Sequence, residues 1–235
     1  MTDIWTYLAR DPLLWLSMTV AAYAFGLVVF NYTGRMPALN PAIVAMATLS
    51  LVLLTTGTSF ETYFEGAQFV HFLLGPATVC LALPLYDNLA RVRRAALPIL
   101  TALLAGSVTA ILTALLIAHA FGVGPELLAA LAPKSATAAV ALGIAEQSGG
   151  SPTQAALMVF LTGLCGAACA TPLLNALRIR DWRARGFATG LAAHGFGTAR
   201  AFHVNPTAGA FAGLGMGLNA LMTAILAPLL LRLFV

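Results

Sequence analysis

Charged side chains are scarce in this sequence: 9% of its 235 residues are Asp, Glu, Lys or Arg, whereas 60% are apolar. A typical soluble domain carries about 25% charged residues. So few charges cannot cover a folded body in water, and the composition therefore excludes a water-soluble globule. Most of the outer surface must face lipid, where only helices or a closed barrel satisfy their backbone groups.

Alternation of polar and apolar residues, which marks a barrel strand, is missing from the long apolar runs. These runs are rich in Leu, Ala and Val and cover residues 13–30, 41–54, 95–121 and 206–235. At about 20 residues per crossing, the sequence predicts an all-α polytopic integral membrane protein with about seven to eight membrane segments. No stretch is left for a soluble catalytic domain, so we expect a single membrane domain over residues 1–235.

Cysteine and histidine are also few, with three and four residues respectively. Cys80, Cys165 and Cys169 lie inside apolar runs, which indicates packing residues rather than a disulfide framework or a metal site. The acidic residues are scattered over separate loops and segment ends, and the sequence suggests no Ser-His-Asp set. We therefore expect no enzyme activity, no metal and no cofactor.

Arginine is concentrated in two short clusters between apolar runs, at residues 91–94 and 178–185. The net charge of +4 could suit nucleic acid, but basic clusters in short loops are typical of the cytoplasmic side of a membrane protein. We interpret them as topology signals and expect no nucleic-acid partner. If both loops are cytoplasmic, the segment at 126–148 must return to its own side as a re-entrant hairpin or otherwise add no net crossing. Residues 57–66, which contain two glutamates and no basic residue, are expected to form an outside loop.

Three apolar segments are interrupted or re-entrant, with breaks near Gly75, Pro133 and Gly195. The spacing of prolines and helix breaks is weakly similar in two possible halves of the chain, 1–121 and 122–235. Paired interrupted segments at corresponding positions are the best sequence pointer to a midplane site in a secondary transporter. A broken helix presents unpaired N–H groups and a partial positive charge at its new N-terminus, which suits a carboxylate or phosphate.

Cations and hydroxyl groups lie at these breaks. Because a charge inside the bilayer is costly, an ionisable residue there is a functional hypothesis. Lys134 and Arg200 would attract a small anion, and His194 is followed by a glycine in a segment that also contains Thr198 and Arg200. The alternatives are that Lys134 snorkels to an interface, that Arg200 is an interfacial anchor and that His194 is a packing residue. The hydroxyls just beyond the breaks belong to Thr78, Ser135, Thr137 and Thr198.

Three motifs in a fixed order carry a family resemblance. They are Gly-Pro-Ala-Thr followed by an apolar run ending in Pro-Leu-Tyr at 75–86, Pro-Lys-Ser-Ala-Thr at 133–137, and His-Gly-Phe-Gly-Thr-Ala-Arg-Ala at 194–201. Together they resemble the hallmark segments of the LrgB/CidB family over nearly the whole chain. The chain departs from the family pattern at Gly75, where many members carry Glu, and at Ala138, where many carry a second Thr.

The resemblance implies a multi-pass protein of the bacterial cytoplasmic (inner) membrane with two competing functions. Some members are named antiholin-like modulators of murein hydrolase activity and autolysis, acting with a small LrgA/CidA-like membrane protein. Other relatives implicate small monocarboxylates. A plastid glycolate/glycerate translocator looks like a fusion of an LrgB-like protein with this small partner, and bacterial pairs of the two proteins are linked to pyruvate uptake. A third possibility is a scaffold that only holds this holin-like partner. Membrane lipid and further copies of the chain are the other partners expected.

Interrupted segments with cations and hydroxyls suit a substrate site better than a non-selective hole. We therefore expect a carrier for a two- or three-carbon carboxylate, with the three breaks meeting near the midplane. The expected substrate-binding residues are Pro76, Thr78, Lys134, Ser135, Thr137, His194, Gly195, Gly197, Thr198 and Arg200.

Overall fold

The computed structural model describes residues 12–34, 36, 39–73, 86 and 89–235, and every regular element in these ranges is a helix. The all-helical architecture predicted from composition is confirmed. The break near Gly75, with Pro76 and Thr78, lies outside the described residues. Four described helices are long and apolar enough to cross a membrane: Pro12–Tyr32, Ala96–Ala120, Pro152–Ala176 and Pro206–Leu231. The chain divides into two compact units, Met1–Cys80 and Leu81–Val235.

The described part of the N-terminal unit consists of helices α1 (Pro12–Tyr32), α2 (Pro41–Thr56) and α3 (Phe60–Phe72). The start of α2 follows from its sequence, because Pro41 suits the first helical turn and the Asn40 side chain accepts from the Ala42 N–H. The helix ends at Gly57, whose φ of 64° is the left-handed conformation that glycine adopts without strain.

The expectation of a loop over residues 57–66 is wrong, because α3 begins at Phe60. Ser59 Oγ accepts from the Thr62 N–H at 3.2 Å and so satisfies one of the free donors at the helix start. Tyr63 then packs edge-on against the fully buried Trp15 of α1, with 5.8 Å between ring centroids. This aromatic contact stabilises a helix in a segment where the local glutamates indicated a loop.

The C-terminal unit holds three long helices and shorter elements between them. Their bounds are α4 (Leu89–Arg94), α5 (Ala96–Ala120), α6 (Pro125–Leu131), α7 (Ala138–Gln147), α8 (Pro152–Ala176), α9 (Trp182–Val204) and α10 (Pro206–Leu231). Helices α5 and α10 run in the same direction. Near their starts Leu103 belongs to the same core cluster as Phe211, and near their ends Leu115 belongs to the same cluster as Leu231.

The expected packing role is wrong for two of the three cysteines. Cys165 and Cys169 are free thiols on the exposed face of α8, which is the face that lipid would cover in a membrane-crossing helix. Cys80 lies outside the described residues.

Helix α9 is a hairpin rather than a continuous rod. Ala193 (φ −125°, ψ 17°) and His194 (φ 39°, ψ −129°) have non-helical backbone angles. A Cβ at Gly197 would lie 2.6 Å from Thr189 O and 2.8 Å from the Ala193 Cβ, so the chain after the break folds back along the chain before it. The break therefore joins two antiparallel arms, residues 182–192 and 195–204, of the αα-hairpin type.

The packing of α9 on α10 confirms the reversal. In the first arm, Cβ atoms at Gly186 and Gly190 would overlap the carbonyl oxygens of Ala208 and Ala212, so this arm runs parallel to α10 in backbone contact. In the second arm, Phe202 covers Gly209, while Thr198 lies further along α10. At about 1.5 Å per residue, neither arm exceeds about 18 Å, which is well short of a bilayer core of about 30 Å.

Helices α6 and α7 form a second hairpin around the Pro133 break. Ala130 packs with Ala145 in one cluster and Ala136 with Ala141 in the next, and both pairs are centred on the same turn. The two helices are therefore antiparallel, and their connection at 132–137 is the tip.

The two hairpins enter the unit from opposite ends. The base of α9 shares a cavity with Arg94, Arg180 and Thr207, at the end where α5 and α10 begin. The base of the α6–α7 hairpin follows the last turn of α5, and Ala129 clusters with residues near the ends of α5 and α10. Arg94 of the first basic cluster and Arg180 and Arg183 of the second thus lie at one end of the unit.

We predict that Gly190→Ala destabilises the protein by about 1–3 kcal/mol, because the new methyl group would overlap backbone of α10 that cannot move independently. The midpoint of thermal unfolding in detergent measures this effect. Gly213→Ala is the matched control in α10, since nothing lies within 4 Å of its Cβ position. Equal midpoints for the two variants would contradict the close approach of α9 and α10.

Candidate functional site

A fully buried asparagine joins the two hairpin tips. Asn219 lies near the centre of α10 and is 0% exposed. Its Nδ2 donates to Ser135 O and to Leu191 O, both at 3.0 Å, and its Oδ1 accepts from Ser107 Oγ at 2.7 Å. Both carbonyl partners require donors, which fixes the orientation of the amide. One side chain therefore satisfies polar groups on three other segments. Each of these groups would cost free energy if it were buried without a hydrogen-bond partner.

The tip of the α6–α7 hairpin carries Lys134, the only lysine in the sequence. Its half-buried ammonium donates to Ser135 Oγ at 3.2 Å. Among the described residues, the ion-pair geometry occurs only between Arg183 and Asp181, so no described carboxylate neutralises Lys134. A cation partly removed from water without a counter-charge favours an anionic ligand.

The tip of the α9 hairpin is formed by His194, which is buried and held by α8. His194 Nε2 lies 2.9 Å from Val159 O. Because a carbonyl oxygen can only accept, Nε2 carries the proton, and Nδ1 of the neutral ring is left as an acceptor. Gly163 makes room for the ring, since a Cβ there would lie 2.6 Å from His194 Cε1. Asn219 binds the carbonyl of Ser135, the neighbour of Lys134, and that of Leu191, three residues before His194, so the structure places these two predicted site residues on joined tips.

The returning arm of each hairpin starts at a tip. Helix α7 begins after Thr137, whose half-buried hydroxyl makes no capping bond, and the second arm of α9 begins at Gly195, which is exposed. The first N–H groups of a helix have no intrahelical acceptor, and they carry the positive end of the helix dipole. Both N-termini therefore lie at the tips that Asn219 joins, one of which carries Lys134.

Two of the predicted residues have structural partners instead of open positions. Thr198 Oγ1 donates to His194 O at 2.8 Å and so closes the first turn of the second arm. Gly197 permits the two arms of α9 to touch. Thr198 and Gly197 therefore support the structure of the tip from its buried side and do not face an open site.

Arg200 lies away from the tips, on the second arm of α9. It lines a small cavity of about 20 Å³ with Thr171 of α8 and with Arg185 and Thr189 of the first arm. Its Nε is buried without a hydrogen-bond partner among the described residues. The expectation that Arg200 and Lys134 contact one ligand together thus receives no support from their positions, because Arg200 lies toward the base of the hairpin.

Asn219 and Ser107 were missed by the sequence reasoning, which searched for charges and for hydroxyls at breaks. A signal was present, since Asn219 is an amide in the middle of an apolar run, and buried amides are costly without partners. Nothing in the local sequence shows which segments supply those partners.

The profile of the LrgB-like family matches residues 19–233. The chain belongs to the LrgB-like family. It is 34% identical over 224 residues to the Holin-like protein CidB of Staphylococcus aureus, covering 95% of this chain and 97% of that protein. It is 35% identical over 198 residues to the CidB of Staphylococcus epidermidis, covering 84% and 86%. It is also 33% identical over 217 residues to the Uncharacterized protein YxaC of Bacillus subtilis, covering 92% and 94%. No solved structure matches the chain.

Two of the motifs on which the LrgB resemblance rests coincide with the hairpin tips. Residues 133–137 form most of the first tip, and residues 194–201 begin at the second tip and continue into its returning arm. The first motif, at 75–86, falls almost entirely outside the described residues. In this LrgB-like chain the family motifs that the structure describes therefore meet around Asn219.

We predict that Asn219→Ala is among the most destabilising single substitutions in the C-terminal unit, because it leaves three buried groups unsatisfied at about 1–3 kcal/mol each. Thermal unfolding in detergent measures the loss. Asn175→Ala, at an exposed position of α8, is the matched control and should unfold near the wild-type temperature. A small effect at Asn219 would mean that the tips are not held together by its amide.

Proposed function

We propose that this chain transports a small monocarboxylate, such as pyruvate or glycolate, across a bacterial cytoplasmic membrane without chemical conversion. We further propose that it works with a small LrgA/CidA-like membrane subunit. The supporting observation is that two helical hairpins enter from opposite ends and meet at a central polar cluster beside Lys134. Irregular backbone at membrane depth is tolerated where it is buried in protein or lines a cavity, and such cavities are typical of substrate sites in transporters.

The arrangement of the two hairpins supports an inverted repeat that differs from the halves expected from sequence. Residues 125–176 comprise a hairpin followed by the long helix α8, and residues 182–231 comprise a hairpin followed by the long helix α10. The two hairpins have their bases at opposite ends of the unit, so the two stretches have opposite directions. Alternating access commonly uses repeats of this kind that move about a fixed central site.

The chemistry at the tips suits a carboxylate. In the proposed complex, Lys134 attracts the charge, while Ser135 and Thr137 orient the oxygens through their hydroxyl groups. The N-terminal N–H groups of α7 and of the second arm of α9 add the donors that a helix start offers an anion. His194 shapes the site and presents Nδ1, which suits the hydroxyl of a hydroxy acid. Arg200 belongs to the approach from the arginine-rich end and does not contact the bound ligand in this proposal.

A second candidate function is antiholin-like control of murein hydrolase activity and autolysis, either directly or as a scaffold for a holin-like partner. It is favoured by the name of the staphylococcal relatives, Holin-like protein CidB. A scaffold needs an outer surface on which the holin-like partner can pack, but it needs no unpaired cation at its centre. The half-buried Lys134 is therefore the feature on which the two functions differ.

We predict saturable uptake of labelled pyruvate or glycolate into proteoliposomes that contain this chain together with a small LrgA/CidA-like protein. Lys134→Gln should lower uptake at sub-saturating substrate by about 10- to 100-fold, the range expected for a charged hydrogen bond. Arg232→Gln, at an exposed position beyond the end of α10, is the matched control and should transport as the wild type does. Equal uptake by the Lys134 and Arg232 variants would remove Lys134 from the proposal. If the folded wild-type protein gives no uptake with or without the partner, the antiholin or scaffold function becomes the better proposal.

The single lysine permits a direct test of occupancy. We predict that pyruvate or glycolate slows the modification of Lys134 by a small amine-reactive reagent, because the bound carboxylate covers the ammonium. Mass spectrometry of the modified peptide measures the rate, and the N-terminal amine of the same chain is an internal control. In Arg200→Gln the protection should remain while the transport rate falls. Loss of protection in that variant would instead place Arg200 in the binding site.

A further inference from the structure

A second charged feature lies at the end of the C-terminal unit where α5, α9 and α10 begin. It is an open cavity of about 500 Å³, and its walls include Arg94 from the first basic cluster and Arg180 and Arg183 from the second. The two clusters are more than 80 residues apart in sequence. Topology signals need only lie on the same side of a membrane, so their convergence on one cavity calls for an additional explanation.

The charges of this cavity are only partly neutralised. Arg183 is paired with Asp181, with Nη2 2.6 Å from Oδ2 and Nε 3.1 Å from both carboxylate oxygens. These hydrogen bonds lower the pKa of Asp181 to about 2, so the carboxylate is ionised at neutral pH. Among the described residues, no carboxylate lies within 4.0 Å of Arg94 or Arg180. Three guanidinium groups thus face one carboxylate, which leaves the cavity positively charged.

Three helix N-termini add to this positive potential. Ala95 is the residue before α5 and provides no side-chain cap, Asp181 caps α9, and Thr207 lies in the first turn of α10. All three residues line the cavity. Because the N-termini of α5, of the first arm of α9 and of α10 converge beside the arginines, an anion in the cavity would be stabilised by both contributions.

The position and contents of the cavity indicate which anion it suits. Trp182 lines the cavity, is 39% exposed and is stacked by Arg185 at 5.0 Å, and tryptophan beside arginine is typical of the headgroup level of a membrane. Guanidinium groups bind phosphate oxygens in pairs of parallel hydrogen bonds. Basic pockets between helices on the cytoplasmic side bind phospholipid headgroups.

We propose that this cavity binds a phosphate oxyanion, held by Arg94 and Arg180 with Arg183 kept in place by Asp181. The oxyanion could be the phosphodiester of an anionic phospholipid or a soluble phosphate, since both present the same oxygens. The site is separate from the hairpin tips, and it does not depend on the transport function proposed above.

The test uses the full chain in lipid nanodiscs of phosphatidylcholine alone or with added phosphatidylglycerol, and separately in detergent with inorganic phosphate. The midpoint of thermal unfolding reports stabilisation, and native mass spectrometry reports the number and affinity of bound phosphatidylglycerol molecules. The variants are Arg94→Gln, Arg180→Gln and the double variant. Arg178→Gln is the matched control, since Arg178 is exposed in the same loop and does not line the cavity.

We expect phosphatidylglycerol to stabilise the wild type and the Arg178 control. Each single variant should bind this lipid about 5-fold more weakly and the double variant about 30-fold more weakly, as expected for one and two lost arginine contacts at a membrane surface. The same pattern with inorganic phosphate but not with phosphatidylglycerol would support the site and assign it a soluble ligand. Equal stabilisation of all variants by either ligand, or stabilisation of none, would overturn the proposal. Both readouts are independent of carboxylate uptake, so a protein that fails to transport can still pass or fail this test.

Discussion

The side-chain amide of Asn219 is the constraint on which the rest of the C-terminal unit depends. Two hairpins whose arms are too short to cross a bilayer end in the interior, where exposed backbone groups are not tolerated. Asn219 supplies donors to one carbonyl from each tip and accepts from Ser107 of α5. The position of the two tips, and with it the placement of Lys134 and His194 at the centre of the unit, follows from this junction.

Much of the fold could be predicted from local features, because helix starts and lipid-facing helices are encoded locally. The apolar runs at 41–54, 95–121 and 206–235 predicted α2, α5 and α10 to within a few residues. The α9 break was expected at Gly195 and occurs at Ala193 and His194. Glycine is the usual residue at a strained position, but here the contact of His194 with Val159 O and the space left by Gly163 outweigh that local preference.

The site was less predictable, because its members are joined only by tertiary structure. Lys134 and His194 are 60 residues apart and lie on tips that are joined through Asn219, an arrangement that no spacing in the sequence encodes. Arg200 belongs to the motif at 194–201 but lies toward the base of α9, because the chain reverses direction at His194 before it reaches Arg200. The motif therefore contains residues with different tasks, some at the tip and some along the returning arm.

The backbone contact between the first arm of α9 and α10 has a consequence for biosynthesis. Gly186 and Gly190 pack on carbonyl groups of a helix that is synthesised after them. Until Pro206–Leu231 has left the ribosome, the hairpin lacks both this partner and the amide of Asn219, and neither arm is long enough to insert as an independent span. Helix α10 thus decides where the preceding segment settles, and the polar centre is assembled only after α10 has been synthesised.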